Sequence, residues 1–236
     1  NKQTARYPVY QVQYEDGDKL VFAPGDVKFK DLDGDGYINA GSATNGDHGD
    51  LAVIGNSTPR YEYSFRIGAD YKGFDISIFC QGIGKRKIWG SGQLAIPGFN
   101  AKEGAIPKAF ATDYWREDRT DAFYPRAWDL GNNNTGFSMQ RQSKYLLNMA
   151  YLRVKNINLG YSFQQNLINK VGLTKARLYL SLENFITFDN LRGLPVDPEA
   201  ISGYSMFTSG HTYNLGRTGT GTPVFKSLSF GAQLTF

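Results

Sequence analysis

The chain has 236 residues, of which 20% are charged, and its 26 Lys and Arg residues against 22 Asp and Glu residues give a net charge of +4. This composition argues against a disordered chain, and the lack of a Lys/Arg block in the sequence argues against a nucleic-acid-binding function. A single cysteine, Cys80, excludes an internal disulfide framework and a multi-cysteine metal site, and no apolar run reaches the length of about 18 residues that a transmembrane helix needs.

The first motif with a defined chemistry is an Asp/Gly-rich segment. Residues 31–39 read DLDGDGYIN and match the first nine positions of a calcium loop of the D-x-D-G-D-G type. In such a loop, carboxylates at alternate positions converge on one hard cation, and a backbone carbonyl supplies a further oxygen. The predicted ligands are the carboxylates of Asp31, Asp33 and Asp35 and the carbonyl of Tyr37.

The closing ligand of this loop does not follow the EF-hand pattern. The twelfth position, where an EF-hand carries a bidentate Glu, is Ser42. Asp50 comes after an apparent eight-residue insertion and is the predicted closing ligand, with Asp47 as the alternative. The sequence shows no flanking helices, so it favours a structural calcium loop outside the cell, where calcium is abundant enough to fill weak sites. An Asp/Gly turn that binds no ion is the competing interpretation.

Two alternating segments follow, joined by a tight turn. In residues 61–71 and 74–81, apolar residues alternate with polar ones, which is the period of a β-strand with one apolar face. The apolar set is Tyr61, Tyr63, Phe65, Ile67, Ala69, Tyr71, Phe74, Ile76, Ile78 and Cys80. Lys72 and Gly73, between the segments, predict a two-residue β-hairpin.

A long connection over residues 84–143 is rich in Gly, Asn, Pro and aromatic residues. Three tryptophans in it, Trp89, Trp115 and Trp128, are candidate substrate contacts, because aromatic rings on long loops can stack on sugar faces. The favoured alternative is that these rings pack the loop onto itself or onto a partner protein. The acidic residues of the segment are interleaved with arginines, which favours a solvated ionic loop over the paired carboxylates of a glycosidase. The two histidines of the chain lie in different loops, and we expect no enzymatic activity.

Three further strands with the same alternation are predicted over residues 152–163, 174–188 and 224–236. A modest turn, residues 164–173, joins the first two, and a second long connection, residues 187–222, precedes the last. Their apolar faces carry Ile157, Leu159, Tyr161 and Phe163, then Ala176, Leu178, Leu180 and Leu182, and finally Leu228, Phe230, Ala232, Leu234 and Phe236. Along the chain, the connections are therefore short, long, short and long.

The five strands together predict part of a transmembrane β-barrel. Each is about 10 residues long, the length of a tilted strand that crosses a bilayer, and aromatic residues lie near the strand ends. Outer-membrane barrels have short turns on one side and long loops on the other. On this parity, residues 1–59, 84–143 and 187–222 lie outside the cell. A soluble β-sandwich, which would alternate in the same way, is the alternative.

Five strands are too few to close a membrane barrel, since the smallest have about eight. The chain is therefore interpreted as a fragment of a larger barrel. Residues 1–59 form a predicted extracellular loop region with the calcium motif, and residues 60–236 form C-terminal barrel strands with their long loops. The aromatic Phe236 fits the end of a closing strand.

A series of short motifs in a fixed order resembles one family of proteins. The motifs are PGDVKFKDLDGDG at 24–36, IGN at 54–56, PRY at 59–61, YKGFDISIF at 71–79, YLRVKN at 151–156, ARLY at 176–179, EN at 183–184 and DPE at 197–199. In combination they resemble the late-barrel segment of SusC/RagA-type TonB-dependent transporters. The insertion between Asn39 and Asp50 departs from the family pattern.

This resemblance implies an all-β fold class, the C-terminal strands of an antiparallel transmembrane barrel of about 22 strands in the outer membrane of a Gram-negative bacterium. It implies a plug and early barrel upstream, coupling to TonB through them, contact with outer-membrane lipid, and a SusD-like surface lipoprotein as a lid. The implied function is import of oligosaccharides or peptides, and the Asp/Gly loop adds a structural Ca²⁺. The alternatives are a soluble, calcium-stabilised β domain that acts as a surface adhesin or glycan-binding module, and a passive, porin-like channel.

Overall fold

The computed structural model of the chain describes residues 7–8, 14–16, 19–22, 24–42, 44–90, 94–95, 106–126, 141–199 and 224–236. The strands are β1 (Tyr7–Pro8), β2 (Tyr14–Asp16), β3 (Lys19–Phe22), β4 (Tyr37–Ile38), β5 (Tyr61–Tyr71), β6 (Phe74–Gly84), β7 (Lys87–Ile88), β8 (Leu147–Asn148), β9 (Tyr151–Ser162), β10 (Lys175–Asp189) and β11 (Ser227–Thr235). The helices are α1 (Lys108–Ala111) and α2 (Gln165–Ile168), the second followed by a 3₁₀ turn, Asn169–Val171. Within these ranges, no helix has the length and apolar character needed to cross a membrane.

The main element is a five-stranded antiparallel sheet in which β5, β6, β9, β10 and β11 lie side by side in chain order. The five strands predicted from alternation are confirmed, and their bounds differ from the prediction by three residues or fewer. The chain order follows from the connections, because neighbouring antiparallel strands need only a turn or a loop at one end.

The register aligns the apolar residues of all five strands on one face. One row across the sheet is Ile67, Ile78, Ile157, Leu182 and Leu228, and the next is Ala69, Ile76, Leu159, Leu180 and Phe230. This face is open to the surroundings at its far edge, where Leu228 is 65% exposed and Phe230 is 72% exposed. A soluble protein rarely leaves so large an apolar surface uncovered, whereas a barrel wall presents it to lipid.

The hairpin between β5 and β6 has the turn that the sequence predicts. Lys72 (φ 48°) and Gly73 (φ 88°) both adopt positive φ, and Tyr71 pairs directly with Phe74. Two positive φ angles define the type I′ turn, whose twist matches that of the flanking strands. This turn and the α2 connection lie at the same end of the sheet, which we call the turn end.

A β-bulge changes the faces of β9 towards the opposite end of the sheet. The register with β6 shifts between Phe79 and Cys80, so that Lys155 of β9 is passed over. Strict alternation from Ile157 would put Arg153 on the apolar face, but the bulge places it on the polar face. The alternation in the sequence does not show this shift.

The hydrophobic core of the described residues lies beyond the sheet, in the long connections. Its buried members are Ile88, Ala95, Phe110, Tyr124, Leu147, Met149, Leu191, Leu194 and Val196. Phe110 is 1% exposed and Met149 is fully buried. The pairing of β7 with β8 draws the two ends of the first long connection together above the sheet. We call this end, where β6 ends and β9 begins, the loop end.

One glycine of the sheet makes room for an ion pair that crosses a strand. On the polar face, Arg177 of β10 donates to the carboxylate of Asp75 in β6 at 2.5 and 3.0 Å. The pair passes over Gly160 of the intervening β9, where a Cβ atom would lie 2.2 Å from Asp75 Oδ2 and 2.4 Å from Arg177 Nη2. A side chain at this position would have to displace the Asp75 carboxylate or the Arg177 guanidinium.

We expect Gly160→Ala to displace this ion pair and to lower the free energy of unfolding by about 1–3 kcal/mol. Urea titration of the full-length protein in detergent, followed by tryptophan fluorescence, measures the change. Gly68→Ala is the control, because a Cβ atom there would come no closer than 3.3 Å to its nearest neighbour, the Ile76 carbonyl oxygen. Equal urea midpoints for the two variants would contradict the prediction.

Candidate functional site

Three carboxylates of the Asp/Gly loop, which runs from Asp31 to Asp50, converge at one point. Asp31, Asp33 and Asp50 each place a carboxylate oxygen within 4.8 Å of the other two. Backbone contacts bring Asp50 across the insertion, because Leu32 and Asn39 donate their N–H groups to its carboxylate at 2.6 and 2.7 Å. The N–H of Asp50 in turn donates to the Asn39 carbonyl at 2.8 Å. The insertion therefore loops out, and Asp50 closes the loop.

The turn of this loop holds Asp31 as a carboxylate. Gly34 (φ 80°) and Gly36 (φ 85°) adopt left-handed conformations, and their N–H groups donate to Asp31 Oδ1 at 2.6 Å and Oδ2 at 3.0 Å. Desolvation alone would raise the pKa of Asp31, but these hydrogen bonds outweigh it and the pKa lies below its ordinary value. The carboxylate is therefore ionised at neutral pH.

The other predicted carboxylate ligands, Asp35 and Asp47, lie outside the group of three. The Asp35 carboxylate lies outside that group and accepts the side-chain N–H of Asn39 at 3.5 Å. Tyr37 begins β4 directly after the turn. Asp47 accepts a backbone N–H within the insertion at 2.9 Å. Of the two predicted closing ligands, Asp50 lies beside the carboxylates of Asp31 and Asp33, and Asp47 does not.

The Asp/Gly loop is anchored to the loop end on both sides. On its N-terminal side, the Arg126 guanidinium donates to the Asp26 carboxylate at 2.9 and 2.8 Å. The backbone N–H of Arg126 donates to the Gly25 carbonyl at 3.0 Å. Gly25 (φ 94°) lies so close to Trp115 that a Cβ atom would be 2.4 Å from the ring. On the other side, the first residue of β7 donates its N–H to the Asn56 carbonyl at 2.9 Å.

The three predicted tryptophan contacts lie in different places. Trp115 is the surface on which Gly25 packs. Trp89 lines a cleft of about 80 Å³ at the loop end, and Trp128 lies outside the described residues. We call this cleft the cationic cleft; its polar and aromatic lining includes Trp89, Phe123, Lys144, Tyr145, Asn190 and Arg192.

Two cations of the cationic cleft lie against the same ring. The Arg192 guanidinium carbon is 4.0 Å from the centroid of the Phe123 ring. Lys144 Nζ is 5.7 Å from that centroid and 5.4 Å from the centroid of Tyr145. Asp113 forms an ion pair with Arg192 at 3.3 Å. The cleft thus combines cation–π contacts with an excess of positive charge.

The wall behind these cations is a packed set of aromatic rings. Tyr124 and Tyr145 are stacked with their centroids 5.8 Å apart, and Phe123 meets Tyr145 edge to face at 5.4 Å. Burial raises the pKa of Tyr124 to about 12 and also raises the pKa of Tyr145, so both phenols are neutral. The wall therefore contributes no negative charge that would offset the two cations.

A second ionic cluster fixes the connection after β10 to the polar face of the sheet. Arg153, which is 4% exposed, donates to Thr187 at 2.9 Å, Asp197 at 2.7 Å and Glu199 at 2.5 Å. Lys155 donates to Glu199 at 2.6 Å. Burial raises the pKa of Asp197, but the bond from Arg153 and other hydrogen bonds outweigh it, so the pKa lies below its ordinary value. We call these residues the Arg153 cluster.

Neither the cationic cleft nor the Arg153 cluster is apparent as a unit in the amino-acid sequence. Lys144 and Arg192 are far apart in the chain and belong to no motif. Both reach the Phe123 ring because β8 pairs with β7 and because the chain leaves β10 beside that pair. For the Arg153 cluster, the signal was the charged pair Arg153 and Lys155 within a strand that is otherwise largely uncharged.

Comparison with known proteins gives relatives of one kind, and no family model matches the chain. TonB-dependent receptor P3 of Formosa agariphila is 30% identical over 177 residues, which are 75% of this chain and 16% of that protein. TonB-dependent receptor P39 of the same organism is 26% identical over 185 residues, 73% of this chain and 16% of the relative. The chain thus spans about 16% of the length of the curated relatives it matches.

A solved structure has the same fold. The RagAB peptide importer in its 'closed-closed' state superimposes with a TM-score of 0.53 and 24% identity, over 83% of this chain and 19% of that chain. Together with the chain-order sheet, this confirms the predicted fold class, a set of antiparallel strands from a large transmembrane β-barrel.

Proposed function

Because the chain belongs to the TonB-dependent receptor family, we propose that it forms part of an outer-membrane importer that takes up a nutrient with energy supplied through TonB. Relatives named as TonB-dependent receptors support this function. The observation that carries it is the sheet, with one face continuous, apolar and exposed and the other face polar.

In this proposal, residues 60–236 are a section of the barrel wall. The apolar face contacts outer-membrane lipid, and the polar face lines the lumen. The ion pair of Arg177 with Asp75 and the Arg153 cluster belong to the polar face, where water or packed protein solvates charge. A soluble adhesin would need a second layer over the apolar face.

The loop end faces outside the cell in the same proposal, with residues 1–59 on that side. A SusD-like surface lipoprotein covers the lumen there, while the plug and the TonB contact belong to the remainder of the transporter. The substrate is an oligosaccharide or a peptide. The solved relative is named a peptide importer, which supports the second class, and Trp89 at the loop end is accessible to either.

The Asp/Gly loop holds a structural Ca²⁺ in this proposal. Asp31, Asp33 and Asp50 offer three converging carboxylates, which are the hard oxygen donors that Ca²⁺ prefers. Asp35 and the Tyr37 carbonyl complete the ligand set of the motif. The cation would neutralise the mutual repulsion of the carboxylates and fix the loop between its two anchors.

Detergent extraction tests the importer proposal. A tagged full-length transporter is recovered from native outer membranes, and mass spectrometry identifies the proteins retained with it. We expect recovery only with detergent, together with a surface lipoprotein. In a second test, a strain in which the gene is deleted should grow poorly on defined peptides or on defined oligosaccharides. Recovery in the detergent-free soluble fraction would contradict the barrel wall and favour a soluble binding module.

A further inference from the structure

We propose that the cationic cleft binds a carboxylate group of the imported ligand. The inference rests on the proposed import function and narrows its substrate class to ligands that carry a carboxylate. The two chemical sources of such a group are the C-terminus or acidic side chain of a peptide and the uronic acid of an oligosaccharide.

The charge balance of the cleft points to an anion. Lys144 and Arg192 both lie within 6 Å of the centroid of the Phe123 ring, so the cleft carries two positive charges. In the part of the chain that the structure describes, no carboxylate lies within ion-pair distance of Lys144. Asp113 pairs with Arg192 at 3.3 Å but is shared with Arg119 at 3.0 Å. A bound carboxylate would balance the excess of positive charge in the cleft.

The size of the cleft fits one functional group. A volume of about 80 Å³ is room for a carboxylate and its neighbouring atoms. Trp89 and Tyr145 line the same cleft and offer apolar faces to the atoms that carry the carboxylate. The cleft is therefore suited to one end or one substituent of a longer ligand.

The backbone at Arg192 supports a role for its side chain. Arg192 has φ 56°, a conformation that costs a non-glycine residue about 1–2 kcal/mol. The next residue, Gly193, has φ 78° without that cost. These two positive φ angles form the same kind of turn as Lys72 and Gly73, and the turn places the Arg192 guanidinium over the Phe123 ring.

Paired ligands test the proposal on the full-length transporter in detergent by isothermal titration calorimetry. The peptide probe is Ala-Ala-Ala-Phe with a free C-terminus, and its partner is the C-terminal amide. The sugar probe is a tetragalacturonate, and its partner is the methyl ester. We expect at least one acid to bind about tenfold more tightly than its neutral partner, the difference that one charge-assisted hydrogen bond supplies. The pair that shows this difference identifies the source of the carboxylate.

Variants then locate the binding site. Lys144→Gln and Arg192→Gln should each lower the affinity for the preferred acid about tenfold and leave its neutral partner unaffected, while Lys144→Arg restores the acid preference. Lys170→Gln is the matched control, because Lys170 is an exposed lysine at the turn end. Equal affinity for acids and neutral partners, no binding of any probe, or equal affinity in Lys144→Gln and Lys170→Gln would overturn the proposal. Import would still stand in each case, because the growth of the deletion strain tests it separately.

Discussion

Replacement of Arg153 by Met is expected to lower the free energy of unfolding by about 3–5 kcal/mol, the effect of removing one partner of a buried ion pair. Arg153 is the buried centre of its cluster and donates to two carboxylates at once. Without it, Asp197 and Glu199 remain close together, with Lys155 as the remaining cation that the described residues provide. Like-charge repulsion should then release the 190–199 connection from the sheet.

Urea titration of the full-length protein in detergent measures the loss of stability, and limited proteolysis of the 190–199 segment measures its release. Lys155→Met removes one ion pair from the edge of the cluster and should have a smaller effect. Lys175→Met is the control, since Lys175 is exposed at the turn end of β10. If Arg153→Met unfolds at the same urea concentration as Lys175→Met, the cluster does not stabilise the fold.

The sheet could be predicted from the sequence because each strand has one apolar face and one polar face. These two faces give a strict period of two, as in Leu178, Leu180 and Leu182, which is the clearest pattern a strand can have. The type I′ turn at Lys72 and Gly73 is local chemistry and was equally readable. The pairing of consecutive strands in the sheet then needed no further information.

The bulge in β9 could not be read from the sequence. A bulge depends on the register with the partner strands, and an alternating pattern contains no information about a partner. Arg153 therefore appears, by strict alternation, on the wrong face. The same limit applies to the loop-end core, where Phe110 and Met149 are buried by contacts between distant segments rather than by any local period.

The Asp/Gly loop was partly predictable because two of its carboxylates lie close together in the sequence. The spacing of Asp31 and Asp33 within one turn brings their carboxylates together, and the preference for Asp50 over Asp47 followed from treating the insertion as a side loop. Asp35, at the same spacing, lies outside the group in the structure. The cationic cleft has no such local basis, because it is assembled from four segments of the chain, around Trp89, Phe123, Lys144 and Arg192.

Removal of calcium is expected to increase tryptic cleavage after Lys28 and Lys30 about tenfold, the change in folded fraction for a site with a dissociation constant near 0.1 mM in 1 mM calcium. Without the cation, the carboxylates of Asp31, Asp33 and Asp50 repel one another, and the segment between the Asp26 and Asn56 anchors loses its fixed geometry. Cleavage of the full-length transporter is compared with and without chelator by mass spectrometry, with the exposed Lys108 as the internal reference.

Acid should have the same effect as the chelator. The pKa of Asp31 in the folded chain lies below its ordinary value of 3.8, so its contribution is complete above about pH 4 and is lost as the pH falls through the folded value. A protonated Asp31 neither binds a cation nor accepts two N–H groups as strongly. Cleavage by pepsin, which is active at low pH, measures the opening of the loop under these conditions.

Substitutions separate the cation from the backbone hydrogen bonds. Asp50→Ala removes a carboxylate of the group and the acceptor for Leu32 and Asn39, so it should leave the loop cleavable even in saturating calcium. Asp50→Asn keeps an acceptor but loses the charge, and should be protected only at higher calcium concentrations. Asp47→Ala, the matched control, should remain calcium-protected because Asp47 lies outside the group. Equal cleavage with and without chelator in the unmodified transporter would mean that hydrogen bonds alone hold the loop closed.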